Sequence, residues 1–256
     1  LILKEQEAEK FKLANFWIRR IRRIIPAATV LVIAVLVAGF FVLLPGDYAD
    51  LGKSAIAQQL MLSNVYFWQN TGYFDGPAEL KPLLHTWSLA VEEQFYLGYP
   101  FLLVLLHLLG RRAMVTMLAA LAIVSLVVSQ YGVIHYPSAT FFLLPTRAWE
   151  LLIGGLIWFI PKQRLSKPWL SSSVSWLSLA AILVAGWFYN STTPFPGLTA
   201  LVPCIATAAF VYFNSNRLSF PAAALATKPV VFVGLISYSL YLWHWPVIVY
   251  AGYLRG

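Results

Sequence analysis

Charged residues are scarce in this chain: they make up 11% of its 256 residues, only ten are acidic, and 60% of the sequence is hydrophobic. That balance excludes a water-soluble globular domain and describes a polypeptide whose solvent is mostly lipid. Cysteine is scarcer still. Cys204 stands alone in an apolar run, so there is no intramolecular disulfide, and its simplest role is that of a small core residue. Also missing are a phosphate-binding glycine loop, a dinucleotide glycine fingerprint, metal-ligand spacing and a Gly-x-Ser-x-Gly nucleophile elbow, which sets aside the chemistries that depend on them and predicts no metal site. No internal repeat, low-complexity tract or linker divides the chain. The net charge of +8 does not indicate nucleic acid, because the basic residues sit in short loops beside apolar segments rather than on a water-facing surface.

What is present is a series of long apolar runs. Seven segments, approximately 24–44, 85–109, 113–130, 139–160, 174–190, 198–213 and 230–253, are of a length to cross a hydrocarbon core of about 30 Å; 198–213 is short and carries Pro203. None shows the period-two alternation of barrel strands, so the sequence predicts an all-α, polytopic transmembrane helical bundle of about seven spans. With the Arg19–Arg23 end placed in the cytoplasm, fourteen Lys and Arg fall on the inside and three (Lys53, Lys81 and Arg255) outside, leaving Arg147 within a span. Residues 45–84 then form an outer loop. This loop is the longest soluble stretch, carries Asp47, Asp50, Asp75 and Glu79, has a turn-rich part from Gly72 to Pro77, and has helical spacing over Ser54–Trp68 that suits an interfacial helix. The opening Leu1-Ile2-Leu3, followed at once by charged residues, reads as the tail of a preceding helix, so further spans are expected before it.

Ionisable residues inside such spans are costly and point to function. Residues 85–97, His-Thr-Trp-Ser-Leu-Ala-Val-Glu-Glu-Gln-Phe-Tyr-Leu, put His85 at an outer edge and Glu92 about 10 Å further in on nearly the same face. Glu93 points about 100° away; either carboxyl suits general acid or base chemistry, or a pairing role between helices. Arg147 and Glu150 stand at i, i+3, a spacing that permits an ion pair, and Arg147 lies roughly 12 Å down its span, near the expected level of Glu92 and Glu93. His244 lies about 21 Å up the last span, between Trp243 and Trp245, which suits either an interface belt or the same outer-half site. His107 and His135 are not site candidates. Arg19, Arg20, Arg22 and Arg23 suit a topology signal, anionic headgroups or a phosphorylated ligand.

Five blocks in order, Phe16–Pro26, Leu83–Ser88, the His85–Leu97 block, Leu144–Glu150 and Ser237–Pro246, resemble the membrane acyltransferase 3 family over nearly the whole chain. The nearest resemblance is to its bacterial branch that O-acetylates surface polysaccharides such as lipopolysaccharide O-antigen. The resemblance implies that residues 1–256 are part of an acyltransferase 3 membrane domain of the bacterial inner membrane, with acetyl-CoA (acyl-CoA) as donor substrate, no permanently bound cofactor, and a hydroxyl of an exported or lipid-linked glycan as acceptor. It implies that Arg19, Arg20, Arg22 and Arg23 engage the donor. An essential histidine of the family's first helix has no match here, so His85, Glu92, Glu93, Arg147, Glu150 and His244 are expected to be supporting members of the site. Two other classes compete: a transporter or flippase with a charged substrate pathway, and a membrane sensor or scaffold with structural ion pairs.

Overall fold

The computed structural model describes residues 2, 11–70, 80–161, 168–190 and 192–255. The expectations for Lys4, Lys10, Lys162, Arg164, Lys167, Asp75, Glu79 and the Gly72–Pro77 turn lie outside them. Among the described residues every regular element is a helix: α1 (Leu13–Val42), α2 (Pro45–Gln59), α3 (Ser63–Gln69), α4 (Thr86–His107), α5 (Arg111–His135), α6 (Pro137–Phe142), α7 (Leu144–Leu156), α8 (Pro168–Phe188), α9 (Leu201–Phe213), α10 (Phe220–Leu225) and α11 (Lys228–Arg255), with short 3-10 turns at Ile157–Phe159 and Leu198–Ala200. Six segments among the described residues are long and apolar enough to cross a membrane, and Leu198–Phe213 is a shorter apolar helix. Outward-facing side chains such as Trp187 at 85% exposure and Phe41 at 80% make sense only against lipid. The protein is an integral membrane helical bundle.

The chain forms two compact units, one of residues 1–108, 142–144 and 236–256, the other of residues 109–141 and 145–235. In the first, α1 begins well before the expected Ile24, so the basic run lies one to three turns inside the helix rather than at its mouth. Its buried stripe of Ala28, Leu31, Val32, Val35 and Gly39 repeats at helical spacing. Gly39 is where the backbone must come close: a Cβ there would meet Leu51 of α2 at 2.7 Å and the Tyr250 hydroxyl of α11 at 2.9 Å. The Tyr238 hydroxyl donates to the Ile24 carbonyl (3.1 Å) and Tyr250 to Val35 (2.6 Å), so α1 and α11 run parallel. Trp17 donates to the Tyr96 carbonyl (3.2 Å) and packs on Phe101, while Arg20, three residues on, lies over the Tyr96 ring, so α4 runs antiparallel to α1.

The region read as a soluble loop is instead partly core. Phe67 is fully buried and Asn64 nearly so. The expected 54–68 helix is two helices, α2 and α3, separated at a residue of positive φ, Met61 (59°). Gln94 holds that break by donating to the Met61 carbonyl (3.0 Å) and to Asn64 Oδ1 (2.8 Å), while the Asn64 amide donates back to Gln94 and to the Phe142 carbonyl. Buried amides are retained when each donor finds an acceptor, and this pair meets that condition.

In the second unit the expected 139–160 span is divided at Leu143. Pro145 has no N–H to continue a helix from α6, and the Ser125 hydroxyl of α5 donates to the Pro145 carbonyl (2.6 Å) while accepting from the Trp149 amide (3.1 Å). At Gly132 a Cβ would collide with the Thr140 side chain, so α6 lays that side chain directly on the α5 backbone. Helices α8 and α9 pack along their length, with Ser175, Asn214 and Ser219 hydrogen-bonded at one end.

Candidate functional site

The first unit brings His85 and His244 together. His85 is the residue preceding α4 and only 6% exposed; His244 lies in α11, and their ring centroids are 5.5 Å apart in an edge-to-face arrangement. Tyr241 fills the corner, 5.4 Å from the His85 ring and 5.3 Å from the His244 ring. Its hydroxyl donates to the His85 carbonyl (2.7 Å) and meets the Ser88 hydroxyl at 2.5 Å. Beneath it, Ser63 donates to the Thr86 carbonyl (2.9 Å), tying the start of α4 to α3. A further tie comes from Trp245, whose indole donates to the Lys81 carbonyl (3.0 Å).

The two imidazoles are not equivalent. His244 Nδ1 lies 2.6 Å from the Tyr241 carbonyl, which can only accept, so Nδ1 carries the proton and the Nε2 lone pair of the neutral ring is left for another partner. Both ring nitrogens of His85 are buried without a hydrogen-bond partner among the described residues. Burial, and after it the nearby His244, pushes the His85 pKa down to about 4, opposed in part by the Leu242 backbone. His85 is therefore a neutral imidazole at neutral pH. It can accept or donate a hydrogen bond but does not hold a proton for release.

Glu92 and Glu93 sit two turns further along α4, exposed and half-buried respectively. The cation whose field reaches both is Arg20, and among the described residues neither glutamate closes an ion pair. Arg20 itself is half-buried, its guanidinium 4.4 Å over the Tyr96 ring and 5.6 Å from that of Phe16. Arg19, Arg22 and Arg23 are exposed and, at i, i+3 and i+4, share one face of α1. The four arginines thus divide into one packed against aromatics and three on an open face.

In the second unit Arg147 and Glu150 form the ion pair allowed by their spacing, at 2.9 Å with both side chains largely buried. Phe141 and Phe195 place their rings within 5.8 and 5.4 Å of the guanidinium. The second oxygen of Glu150, Oε1, is buried without a hydrogen-bond partner among the described residues. Glu150 also borders a groove of about 330 Å³ between α7 and α9 that includes Pro203 and Cys204. Among the described residues no group of three potential ligands could hold a metal ion.

Sequence reasoning missed Tyr241, Ser88, Asn64 and the buttressing role of Gln94. The first two were within reach: Ser88 follows His85 by three residues and Tyr241 precedes His244 by three, the spacing that puts each on its histidine's face. Nothing local marks Asn64, whose partners come from α4 and Phe142.

Comparison with known proteins shows the family. The acyltransferase-domain model of the acyltransferase 3 family matches residues 2–255. A protein of Komagataeibacter xylinus named as a membrane-bound transacylase, BcsY, is 32% identical over 95% of this chain and 61% of its own length. The O-acetyltransferase OatA of Staphylococcus aureus is 34% identical over the whole of this chain and 44% of its own length, and the peptidoglycan O-acetyltransferase OatA of Listeria monocytogenes is 33% identical over 97% and 42%. The chain therefore spans less than two thirds of each of these relatives. No solved structure matches it.

Proposed function

Because the chain belongs to the acyltransferase 3 family, we propose that it is the membrane part of an O-acyltransferase that moves an acetyl group from cytoplasmic acetyl-CoA to a hydroxyl of an exported cell-envelope glycan in a bacterial inner membrane. The observation that supports this reading most is the His85–Tyr241–His244 cluster. In the transfer the acceptor oxygen attacks the thioester carbonyl carbon, the new C–O bond forms, the C–S bond breaks, and CoA leaves as the thiolate. His244, its Nδ1 proton committed to the Tyr241 carbonyl, offers Nε2 to the acceptor hydroxyl proton; neutral His85 offers a second hydrogen bond that orients the same hydroxyl. In a chain that keeps the family's first-helix histidine, these two act as supporting groups around it. Glu92 and Glu93 balance Arg20 and keep the donor side of α4 polar, and the Arg147–Glu150 pair supplies a fixed polar group to the second unit.

The donor's phosphates fall to the open face of Arg19, Arg22 and Arg23, since guanidinium forks bind phosphate bidentately. Tyr96, level with Arg20, is eleven residues and about 16 Å along α4 from His85, a span for the extended pantetheine arm to bridge. Peptidoglycan is the acceptor named for the Listeria relative; O-antigen is the one the sequence resemblance suggests. The family membership argues against the transporter reading.

The test uses the full-length parent protein in proteoliposomes, with acetyl-CoA binding and acetylated glycan both measured. Arg19→Ala, Arg22→Ala and Arg23→Ala together are expected to weaken acetyl-CoA binding at least tenfold, with the three lysine replacements recovering part of it. Unchanged binding and output with correct insertion would leave these arginines as lipid-facing topology signals.

A further inference from the structure

We infer that a cavity in the first unit, beside the histidine cluster, is a subsite for a single neutral pyranose ring of the acceptor; the inference rests on the acyltransferase reading and adds the place and chemical class of the substrate's neighbouring ring. The cavity has a volume of about 200 Å³, and Asp47, Asp50, Tyr66, Lys81, Pro82 and Tyr253 are among its walls. Sites for drug-sized ligands run to roughly 300–1,000 Å³, so this one is sized for one ring and not for an oligosaccharide. Its walls have the two surfaces a sugar needs. Ionised carboxylates only accept hydrogen bonds and so suit hydroxyl donors, and tyrosines offer flat apolar faces to ring C–H groups beside a polar rim.

The charges select within that class. Asp50 gives one oxygen to Lys53 at 2.8 Å and keeps the other, and Asp47 has no hydrogen bond or ion pair among the described residues. The two carboxylates are matched by Lys53, which pairs with Asp50, and by Lys81 in the wall, so the cavity has no net positive charge with which to hold a phosphorylated or carboxylated sugar. The position of the cavity ties it to the histidines. Its wall residue Lys81 accepts the Trp245 indole N–H through its carbonyl, Trp245 follows His244 in the chain, and Lys81 precedes His85 by four residues, at most about 14 Å of extended backbone. A glycan with one ring in this cavity therefore brings the next ring's hydroxyls toward His85 and His244.

Saturation-transfer NMR on the full-length parent protein in nanodiscs tests this, with methyl β-N-acetylglucosaminide as the neutral probe and its 6-phosphate as the anionic one. The neutral probe should bind, Asp47→Asn with Asp50→Asn should lower its affinity about tenfold or more, Tyr253→Leu should lower it independently, and the phosphate should bind at least tenfold more weakly. Absent binding, affinity within twofold in the double variant with an unchanged unfolding midpoint, or equal binding of the two probes would overturn the subsite. Acetyl-CoA turnover is read in parallel: donor turnover without aspartate-dependent sugar binding overturns the subsite alone, whereas aspartate-dependent sugar binding without donor turnover supports the subsite and overturns the acyltransferase reading.

Discussion

The Arg147–Glu150 pair of the second unit closes within one turn of α7, whereas the His85–His244 pair of the first unit is assembled from two helices far apart in sequence and leaves ring nitrogens without partners. The ion pair neutralises itself, which is how a charge survives in a low-dielectric interior. The histidines instead hold unspent hydrogen-bonding capacity, and their shape is maintained from outside by Tyr241, Ser88 and Trp245 acting on backbone carbonyls. The contrast is one of charge: the ion pair cancels its own charge even with Glu150 Oε1 left without a hydrogen bond among the described residues, whereas the uncharged His85 ring keeps hydrogen-bonding capacity that a ligand can use.

Breaking the ion pair should have the largest effect on stability. Glu150→Ala leaves Arg147 without its carboxylate partner, with an expected loss of about 3–5 kcal/mol, while replacing both residues by Met and Leu should restore most of it. Unfolding of the purified parent protein in detergent measures this, and equal losses in the single and double variants would place the stabilisation elsewhere than in charge pairing.

The incomplete cluster should reveal itself through pH. The folded pKa of His85, about 4, lies below the ordinary histidine value of 6.5, so between these values the unfolded chain binds more protons than the native one. Stability is then fully present above pH 6.5 and falls as pH drops through the window toward 4, by at most about 3 kcal/mol. His85→Gln should flatten that slope. A slope identical in the variant would assign the titration to another group.

A smaller effect is expected at the contact that joins α1, α2 and α11. Gly39→Val forces Leu51 and the Tyr250 hydroxyl to move, and overpacking of this kind costs about 1–3 kcal/mol. Loss of the Tyr250 hydrogen bond to Val35, followed by an unfolding midpoint lowered accordingly, is the expected result; an unchanged midpoint would mean that the three helices separate freely there.

Much of this was legible before any coordinates. Long apolar runs and the absence of alternation decide the helical class, because lipid leaves the backbone little choice. The Arg147–Glu150 pair followed from spacing alone, whereas depth arithmetic put His85 at an outer edge and His244 about 9 Å inside it and did not bring their rings together. The rest depended on tertiary partners. Nothing local shows that Phe67 and Asn64 are buried, since their cover comes from α4, so residues 45–84 read as a soluble loop. The break at Met61 depends on Gln94, distant in sequence. Hydropathy runs on through 137–159, hiding the division at Leu143 that Pro145 and Ser125 impose. Arg20 parted from its neighbours because Phe16, four residues earlier, is on the packed face, a consequence helical arithmetic permits but does not announce.

The central claim is that the histidine cluster handles the acceptor hydroxyl, and the most direct measurement is acetyl transfer to glycan by the His244→Gln variant of the full-length parent, with acetyl-CoA binding followed on the same samples. Loss of one supporting hydrogen bond at a buried reacting group costs about 1–3 kcal/mol, roughly 5- to 150-fold in rate. The account predicts a loss of that size with acetyl-CoA binding unchanged; transfer within twofold of the unaltered protein would contradict it.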